Sequence, residues 1–166
     1  MNISAPEKLN ESHTTTTFDC GNHDLNRFLN KHAYANQCSG NSTTYVCCDD
    51  ADTVVGYYTI TLASVSHSSA PTHISSGQPR YPIPVILLAR LAVATHWQHK
   101  GIGRALLKDA CIRALMVSDI AGCRAFLVHA KDEQAKQWYV QFGMEPSPTN
   151  PLHLLLLISD VKENMQ

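Results

Sequence analysis

The chain lacks the sequence features of membrane, secreted and metal-binding proteins. Its longest apolar run, residues 154–158 with their neighbours, is far short of the roughly 20 residues that span a bilayer. The six cysteines form no Cys-x-x-Cys pair, and the nine histidines do not join them at zinc-finger spacing, so neither a disulfide scaffold nor a metal site is expected. Residues 1–8 contain no basic stretch followed by an apolar one, which favours a cytoplasmic location without membrane contact.

An excess of charge of one sign is also missing. Lysine and arginine contribute 13 residues and aspartate and glutamate 14, which gives a formal net charge of −1. The overall charge therefore does not favour a nucleic-acid partner, and only a local basic patch would. With 166 residues, 44% of them hydrophobic, the chain is expected to form one domain over residues 1–166, with a core that needs no disulfide.

The order of apolar and amphipathic segments predicts an α/β fold. In the first half, Asn22 is suited to cap a helix that ends near Cys38, and β-branched residues on both sides of an acidic turn predict a hairpin. A Ser/His/Pro-rich loop over residues 64–84 is long enough to suggest a functional role. The first half is predicted to contain strands over 2–8, 43–48 and 54–62, and the second half strands over 84–93, 124–130 and 152–158 and helices over 101–122 and 132–142, an alternation typical of an α/β sheet.

A glycine-punctuated turn separates the predicted central strand from the long helix. The spacing Gln98-x-x-Gly101-x-Gly103 brings backbone close to a ligand without a Cβ atom in the way. The N–H groups at the start of the following helix have no partners within the helix and favour an anion. Residues 98–103 therefore predict a phosphate-binding turn, and Gly122 is suited to end the helix.

Three segments together resemble the Gcn5-related N-acetyltransferases (GNAT). They are the turn Gln98-His99-Lys100-Gly101-Ile102-Gly103, the strand end Leu91-Ala92-Val93, and Trp138-Tyr139-Val140-Gln141-Phe142-Gly143, in which Met144 follows in place of Phe. The resemblance implies a mixed central sheet of about six to seven strands flanked by helices, and acetyl-CoA as the acetyl donor. It implies that Tyr139 is the catalytic residue and that the donor is bound by Leu91, Ala92, Val93, Gln98, His99, Lys100, Gly101, Ile102, Gly103 and Arg104.

Further segments narrow the resemblance to the acetyltransferase toxins of bacterial toxin–antitoxin pairs. These segments cover residues 18–22, 25–29, 88–93, 127–130 and 145–149. The resemblance implies a type II toxin that acetylates the α-amino group of aminoacyl-tRNA and so inhibits translation. It also implies a homodimer, neutralised by a ribbon-helix-helix antitoxin, with operator DNA bound only through the antitoxin complex.

The chemistry of such a transfer agrees with these residues. An α-amino group has a reference pKa of about 7.7–8.0, so it loses its proton near neutrality and a dedicated base is dispensable. The departing thiolate needs a proton, and a phenol is a suitable donor. By the resemblance Tyr139 supplies that proton, and the backbone amide of Val93 polarises the thioester carbonyl. His129 is either a base or a packed side chain.

Basic residues in several segments are candidates for contact with tRNA phosphates. Arg27, Lys31 and His32 belong to the first helix, Arg80 to the long loop and Arg90 to the central strand. Around the turn and its helix, further basic residues would serve either the CoA phosphates or the RNA; these are Lys100, Arg104, Lys108 and Arg113.

Other interpretations remain open at this point. Cys47 and Cys48 suggest a redox pair or an acyl-carrying nucleophile, but adjacent residues of a strand face opposite sides, which favours packing. Trp97 and Trp138 would stack on a base or pack. An acetyltransferase acting on a small amine or a protein N-terminus would share the turn and Tyr139, and a non-catalytic acetyl-CoA-binding module would share the turn.

Overall fold

The computed structural model describes residues 2–164 and contains two compact units. The first unit comprises Met1–Thr61 and Ala89–Ala110, and the second comprises Leu62–Leu88 and Cys111–Gln166. Seven strands in the described residues form a mixed sheet of order β1-β2-β3-β4-β5-β7-β6. The strands are β1 (Glu7–Lys8), β2 (Thr43–Cys48), β3 (Val54–Val65), β4 (Ile83–Val93), β5 (Ala125–His129), β6 (Glu145–Pro146) and β7 (His153–Leu157). The α-helices are α1 (His23–Arg27), α2 (Ala33–Cys38), α3 (Thr72–Ser75), α4 (Ile102–Ile120), α5 (Glu133–Val140) and α6 (Ile158–Asn164).

The first unit is built on the predicted hairpin of β2 and β3. The two strands are antiparallel, with Tyr45 opposite Tyr58, and the Ala94 N–H donates to the Val55 carbonyl at 2.8 Å. The predicted hairpin is confirmed, although β3 continues three residues further, to Val65. The strand predicted over 2–8 is confirmed only for Glu7–Lys8, which pair with β2. The Ser4 N–H also donates to the Cys48 carbonyl of β2 at 2.9 Å, but Pro6 between them has no N–H with which to continue the ladder.

The predicted first helix contains a π turn. Asn22 caps α1 as predicted, since its side chain accepts from the Leu25 N–H at 3.1 Å. Residues Phe28–His32 then form a wider turn before α2 begins. In that turn Phe28 and Ala33 are joined by an i to i+5 hydrogen bond, and both side chains are buried in one core cluster. The wider turn explains how side chains five residues apart reach the same core.

A glycine in β3 lets helix α4 pack closely on the strand. A Cβ atom at Gly56 would lie 2.9 Å from Leu106 Cδ1 and 3.2 Å from both Cys47 Sγ and Ile102 Cγ2. Tyr58 also donates a hydrogen bond to the Asp109 carboxylate. Strand β3 therefore fixes the position of the first half of α4, which follows the glycine turn directly.

In the second unit, β4 is parallel to β5 and β5 is antiparallel to β7. Residues 85–88 of β4 align with residues 125–128 of β5, and β7 extends the sheet to the short β6. The strands predicted over 84–93, 124–130 and 152–158 are confirmed, with bounds that differ by at most one residue. Asp132 caps α5 through a 2.8 Å bond from the Ala135 N–H.

The predicted loop over residues 64–84 contains more structure than expected. It includes the end of β3, a 3-10 turn at His67–Ser69 and helix α3. Two hydrogen bonds connect the segment to the rest of the second unit. Ser147 Oγ donates to the Ser69 carbonyl at 2.5 Å, and Arg124 Nε donates to the Ile74 carbonyl at 3.1 Å.

Two further differences from prediction concern helices. Helix α4 ends at Ile120, and Gly122 is not among the described glycines with positive φ, so its predicted role as a left-handed helix end is wrong. Helix α6 directly follows β7 and was not predicted. No helix within residues 2–164 is long and apolar enough to cross a membrane.

Candidate active site

The turn over residues 98–103, here called the glycine turn, has an unusual backbone. His99 and Gly101 have φ angles of 63° and 86°, in the left-handed region that non-glycine residues rarely adopt. Helix α4 starts at Ile102, and the N–H groups of Ile102 and Gly103 have no backbone acceptor within residues 2–164. Left-handed residues followed by unpaired helix N–H groups form a concave anion site. The geometry fits the diphosphate of acetyl-CoA.

Gln98 holds this turn in place through its side chain. Its Nε2 donates to the carbonyls of Val93 at 2.9 Å and Cys20 at 3.1 Å. The Thr95 N–H and hydroxyl both donate to the Asp19 carbonyl, at 2.8 and 2.7 Å. The Gln98 side chain is therefore engaged with protein backbone, and the acetyl-CoA contact predicted for Gln98 is left to its main chain.

The other predicted donor-binding residues belong to the same first unit. Lys100 Nζ lies 5.2 Å from the centre of the Trp97 ring, a cation–π contact that leaves both residues at the rim of the turn. Arg104 is exposed on the first turn of α4. At the end of β4, Ala92 is buried, whereas Leu91 and Val93 are half-buried.

Tyr139 belongs to the second unit and lies on α5. Its side chain is 9% exposed and packs edge-on against Trp138, with 5.0 Å between ring centroids. Trp138 in turn packs edge-on against Phe142. Burial raises the pKa of the Tyr139 phenol well above its usual value. A phenol with a raised pKa stays protonated at neutral pH, which is the state a general acid requires.

A groove lies along helix α1 and the π turn and is here called the α1 groove. It has a volume of about 320 Å³ and belongs to the first unit. Arg27 and Lys31 line it, as do Phe18 and Asn26 from the segments that carry the resemblance, and Thr16, His23 and Asn30, which the sequence did not single out. The spacing of four residues between His23, Arg27 and Lys31 is a signal in the sequence that could have added His23 to this face.

The remaining tRNA candidates lie elsewhere. The Arg90 guanidinium stacks on the Phe28 ring, with Cζ 3.7 Å from the centroid. His32 is exposed and does not line the α1 groove, and Arg80 is exposed between α3 and β4. Lys108 is exposed on α4 and Arg113 is half-buried.

The alternative nucleophiles have unsuitable environments, whereas the lowered pKa of His129, the alternative base, leaves its ring able to accept a proton. Cys47 and Cys48 are both buried, and burial raises their thiol pKa values to about 11 and about 12. His129 stacks on His153 with 3.9 Å between ring centroids, and burial lowers its pKa. Within residues 2–164 no three His, Cys, Asp or Glu side chains are grouped to hold a metal ion.

The family of the chain follows from a comparison with known proteins. The sequence profile of the acetyltransferase (GNAT) domain matches residues 40–146. The chain belongs to the GNAT acetyltransferase family, and the expectations of fold class and enzyme class are confirmed. It is 43% identical to the tRNA-acetylating toxin of Mycobacterium tuberculosis over 159 residues, which cover 96% of this chain and 95% of that protein.

Solved structures with the same fold include two of the toxin AtaT. The complex of AtaT with acetyl-methionyl-tRNAfMet matches with a TM-score of 0.91 and 24% identity over 99% of this chain and 100% of that one. A tyrosine-to-phenylalanine variant of AtaT, bound to the C-terminus of the antitoxin AtaR and to acetyl-CoA, matches with a TM-score of 0.83 and 23% identity over 97% and 96%. At these identities the likeness shows the fold.

Proposed function

We propose that this chain is the toxin of a type II toxin–antitoxin pair, and that it transfers the acetyl group of acetyl-CoA to the α-amino group of an aminoacyl-tRNA. The observation that carries the proposal is the 43% identity, over nearly the whole of both chains, to a tRNA-acetylating toxin. The glycine turn supports it, because its backbone suits the diphosphate of the donor. The modified aminoacyl-tRNA no longer has the free amine that peptide bond formation requires, and translation stops.

Different residues bind the donor, polarise the thioester and supply the proton. The glycine turn and Arg104 bind the donor phosphates, and Leu91, Ala92 and Val93 bind the pantetheine arm. The Val93 N–H polarises the thioester carbonyl, while the neutral α-amine attacks its carbon. Tyr139 donates its phenolic proton to the departing thiolate, and the proton that the amine loses as the amide forms returns to the phenolate.

The partners follow from the same proposal. Arg27, Lys31, Arg80 and Arg90 contact the phosphates of the tRNA. A ribbon-helix-helix antitoxin neutralises the enzyme, the complex alone binds operator DNA, and the toxin is a cytoplasmic homodimer that forms a single catalytic domain over residues 1–166. The AtaT structure with the antitoxin AtaR supports the expectation of an antitoxin.

Transfer of a labelled acetyl group tests the acceptor. The purified protein is incubated with labelled acetyl-CoA and total aminoacylated tRNA, and the label is followed in RNA, protein and small-molecule fractions. We expect label on the tRNA that is released by mild base, which hydrolyses the aminoacyl ester. Label confined to proteins or small amines would contradict the proposal, and absence of transfer would indicate a binding module.

A further inference from the structure

The α1 groove is suited to an anion. Arg27 and Lys31 are exposed along it, His23 lies one turn earlier, and no lining residue is acidic. Neither Arg27 nor Lys31 forms an ion pair with a residue in 2–164, where both recorded pairs involve histidines of other segments. Two unneutralised cations four residues apart on one helical segment favour binding of a phosphate or another anion.

The size and lining of the groove point to a single nucleotide. A cleft of about 320 Å³ is at the lower end of the range for small-ligand sites, so an RNA duplex would lie across it. Asn30 and Thr16 contribute polar side chains, whereas the Phe18 ring is 6% exposed and packs against Tyr57. Polar side chains can hydrogen-bond the edge of an unpaired RNA base, whereas the carboxylates of an acidic peptide would contact only the two cations.

Contacts with Tyr57 of strand β3 hold the groove in place. Phe18 packs edge-on against Tyr57, with 5.5 Å between centroids, and the Tyr57 hydroxyl donates to the Leu25 carbonyl at 2.7 Å.

Asn26, which lines the groove, connects it to the residues expected to hold the thioester. Its Oδ1 accepts from the Cys20 N–H at 2.8 Å, and the Cys20 carbonyl accepts from Gln98, which also binds the Val93 carbonyl. Two residues, Cys20 and Gln98, therefore connect Asn26 to Val93 through hydrogen bonds.

We propose that the α1 groove binds one unpaired nucleotide of the 3′ tail of the acceptor tRNA, with its phosphate between Arg27 and Lys31 and its base against Asn30. This inference rests on the proposed function, in which the reacting amine is carried by that same 3′ end. It assigns His23 and Asn30 to substrate binding in addition to the cations.

Binding of uncharged tRNA, intact or with its unpaired 3′ tail removed by an exonuclease, tests the proposal. Affinities are measured without acetyl-CoA at several salt concentrations for the protein and for Arg27→Gln, Lys31→Gln and Asn30→Ala. Lys8→Gln is the matched control, because Lys8 is exposed in the same unit but lies on β1. Thermal unfolding and acetyl-CoA affinity of each variant verify that it is folded.

We expect Arg27→Gln and Lys31→Gln each to weaken binding of intact tRNA about tenfold. Each should also lower the slope of log K against log salt by about 0.7, the value for one single-strand phosphate contact. Asn30→Ala should weaken binding without changing that slope. The tailless tRNA should bind weakly to all proteins, with no further loss in the groove variants, and Lys8→Gln should bind both RNAs like the unchanged protein.

An equal loss for intact and tailless tRNA, or no loss for either, would overturn the inference. So would groove-dependent binding of poly-L-glutamate without groove-dependent binding of tRNA, which would assign the groove to an acidic polypeptide. If the groove variants lose tail-dependent tRNA binding while the acetyl label goes to another acceptor, the proposed function fails and the groove assignment remains.

Discussion

The glycine turn and the α1 groove both suit anions, but they are made from different parts of the chain. In the turn, backbone N–H groups and the left-handed residues His99 and Gly101 form the site. In the groove, the side chains of His23, Arg27 and Lys31 form it. Backbone geometry can be retained by many sequences that keep the glycine, whereas a groove of side chains changes with each substitution. The comparison teaches that the donor site is constrained by conformation and the groove by residue identity.

The largest expected effect is on the rate of acetyl transfer, and it should leave binding at the glycine turn and at the α1 groove nearly unchanged. Tyr139→Phe removes only the phenolic proton donor, so we expect acetyl transfer to fall by about 10² to 10⁴ with nearly unchanged affinities for acetyl-CoA and tRNA. Single-turnover transfer and equilibrium binding measure the two separately. Tyr81→Phe, at a 75% exposed tyrosine of the same unit, is the control and should have full activity.

The pH dependence of transfer gives a second measurement on Tyr139. The rate should rise as the substrate amine loses its proton near pH 8. It should not fall again before about pH 10, because burial raises the pKa of the phenol and keeps the proton available. Full activity of Tyr139→Phe would remove this residue from the mechanism.

The next effect tests whether the glycine turn depends on conformation. Gly101 has a φ of 86° and no atom lies within 4 Å of a Cβ built on it, so an alanine there meets strain rather than a clash. We expect Gly101→Ala to cost about 1–3 kcal/mol, seen in calorimetry as acetyl-CoA binding weakened tenfold or more.

His99→Gly is the matched variant for this comparison. It removes a side chain at a φ of 63° and retains the backbone conformation, so acetyl-CoA affinity should change little. A large loss in His99→Gly together with a small one in Gly101→Ala would show that side chains form the donor site.

A smaller effect concerns the packing that positions the turn. In Gly56→Ala the new methyl group would meet Leu106 Cδ1 at 2.9 Å, and we expect a loss of about 1–3 kcal/mol in the free energy of unfolding. Urea denaturation measures it. Because Ile102 is also in contact, acetyl-CoA binding should weaken while tRNA binding does not. Gly122→Ala is the control and should not lose stability, because no atom lies within 4 Å of a Cβ atom placed at Gly122.

The smallest expected effect concerns the cysteines. Burial raises the thiol pKa values of Cys47 to about 11 and of Cys48 and Cys111 to about 12, so these thiols stay neutral at pH 8. Brief treatment of the folded protein with iodoacetamide should modify the exposed Cys38 and leave these three intact in peptide mass spectra. Acetylated Cys47 or Cys48 during turnover would instead indicate a covalent intermediate.

The local signals in the sequence predicted most of the fold. The caps Asn22 and Asp132, the hairpin and the apolar strands follow from residue type and spacing, and the structure contains them. The strand predicted over 2–8 is shorter than expected, because Pro6 has no N–H with which to continue the ladder. The π turn was not predicted because the apolar pattern of the segment is that of an ordinary helix. The wider turn changes only which of its residues face the core.

The sequence predicted the glycine turn more fully than the α1 groove. The glycine spacing predicted the turn, since a backbone site is encoded within a few consecutive residues. The α1 groove was only partly anticipated, through Arg27 and Lys31. Thr16 and Phe18 come from an irregular segment before α1, and their approach to Asn30 depends on tertiary packing that no local pattern encodes.

The π turn at Phe28–His32 also gives the first helix a shifted phase. One additional residue in a turn rotates everything after it by about 100° around the axis relative to an uninterrupted α-helix. Deletion of a single residue there would restore a regular helix and at the same time turn the face of α2 away from its present neighbours. The loss of one codon would thus alter which side chains of the π turn border the groove, while the glycine turn, which lies elsewhere in the chain, would keep its sequence.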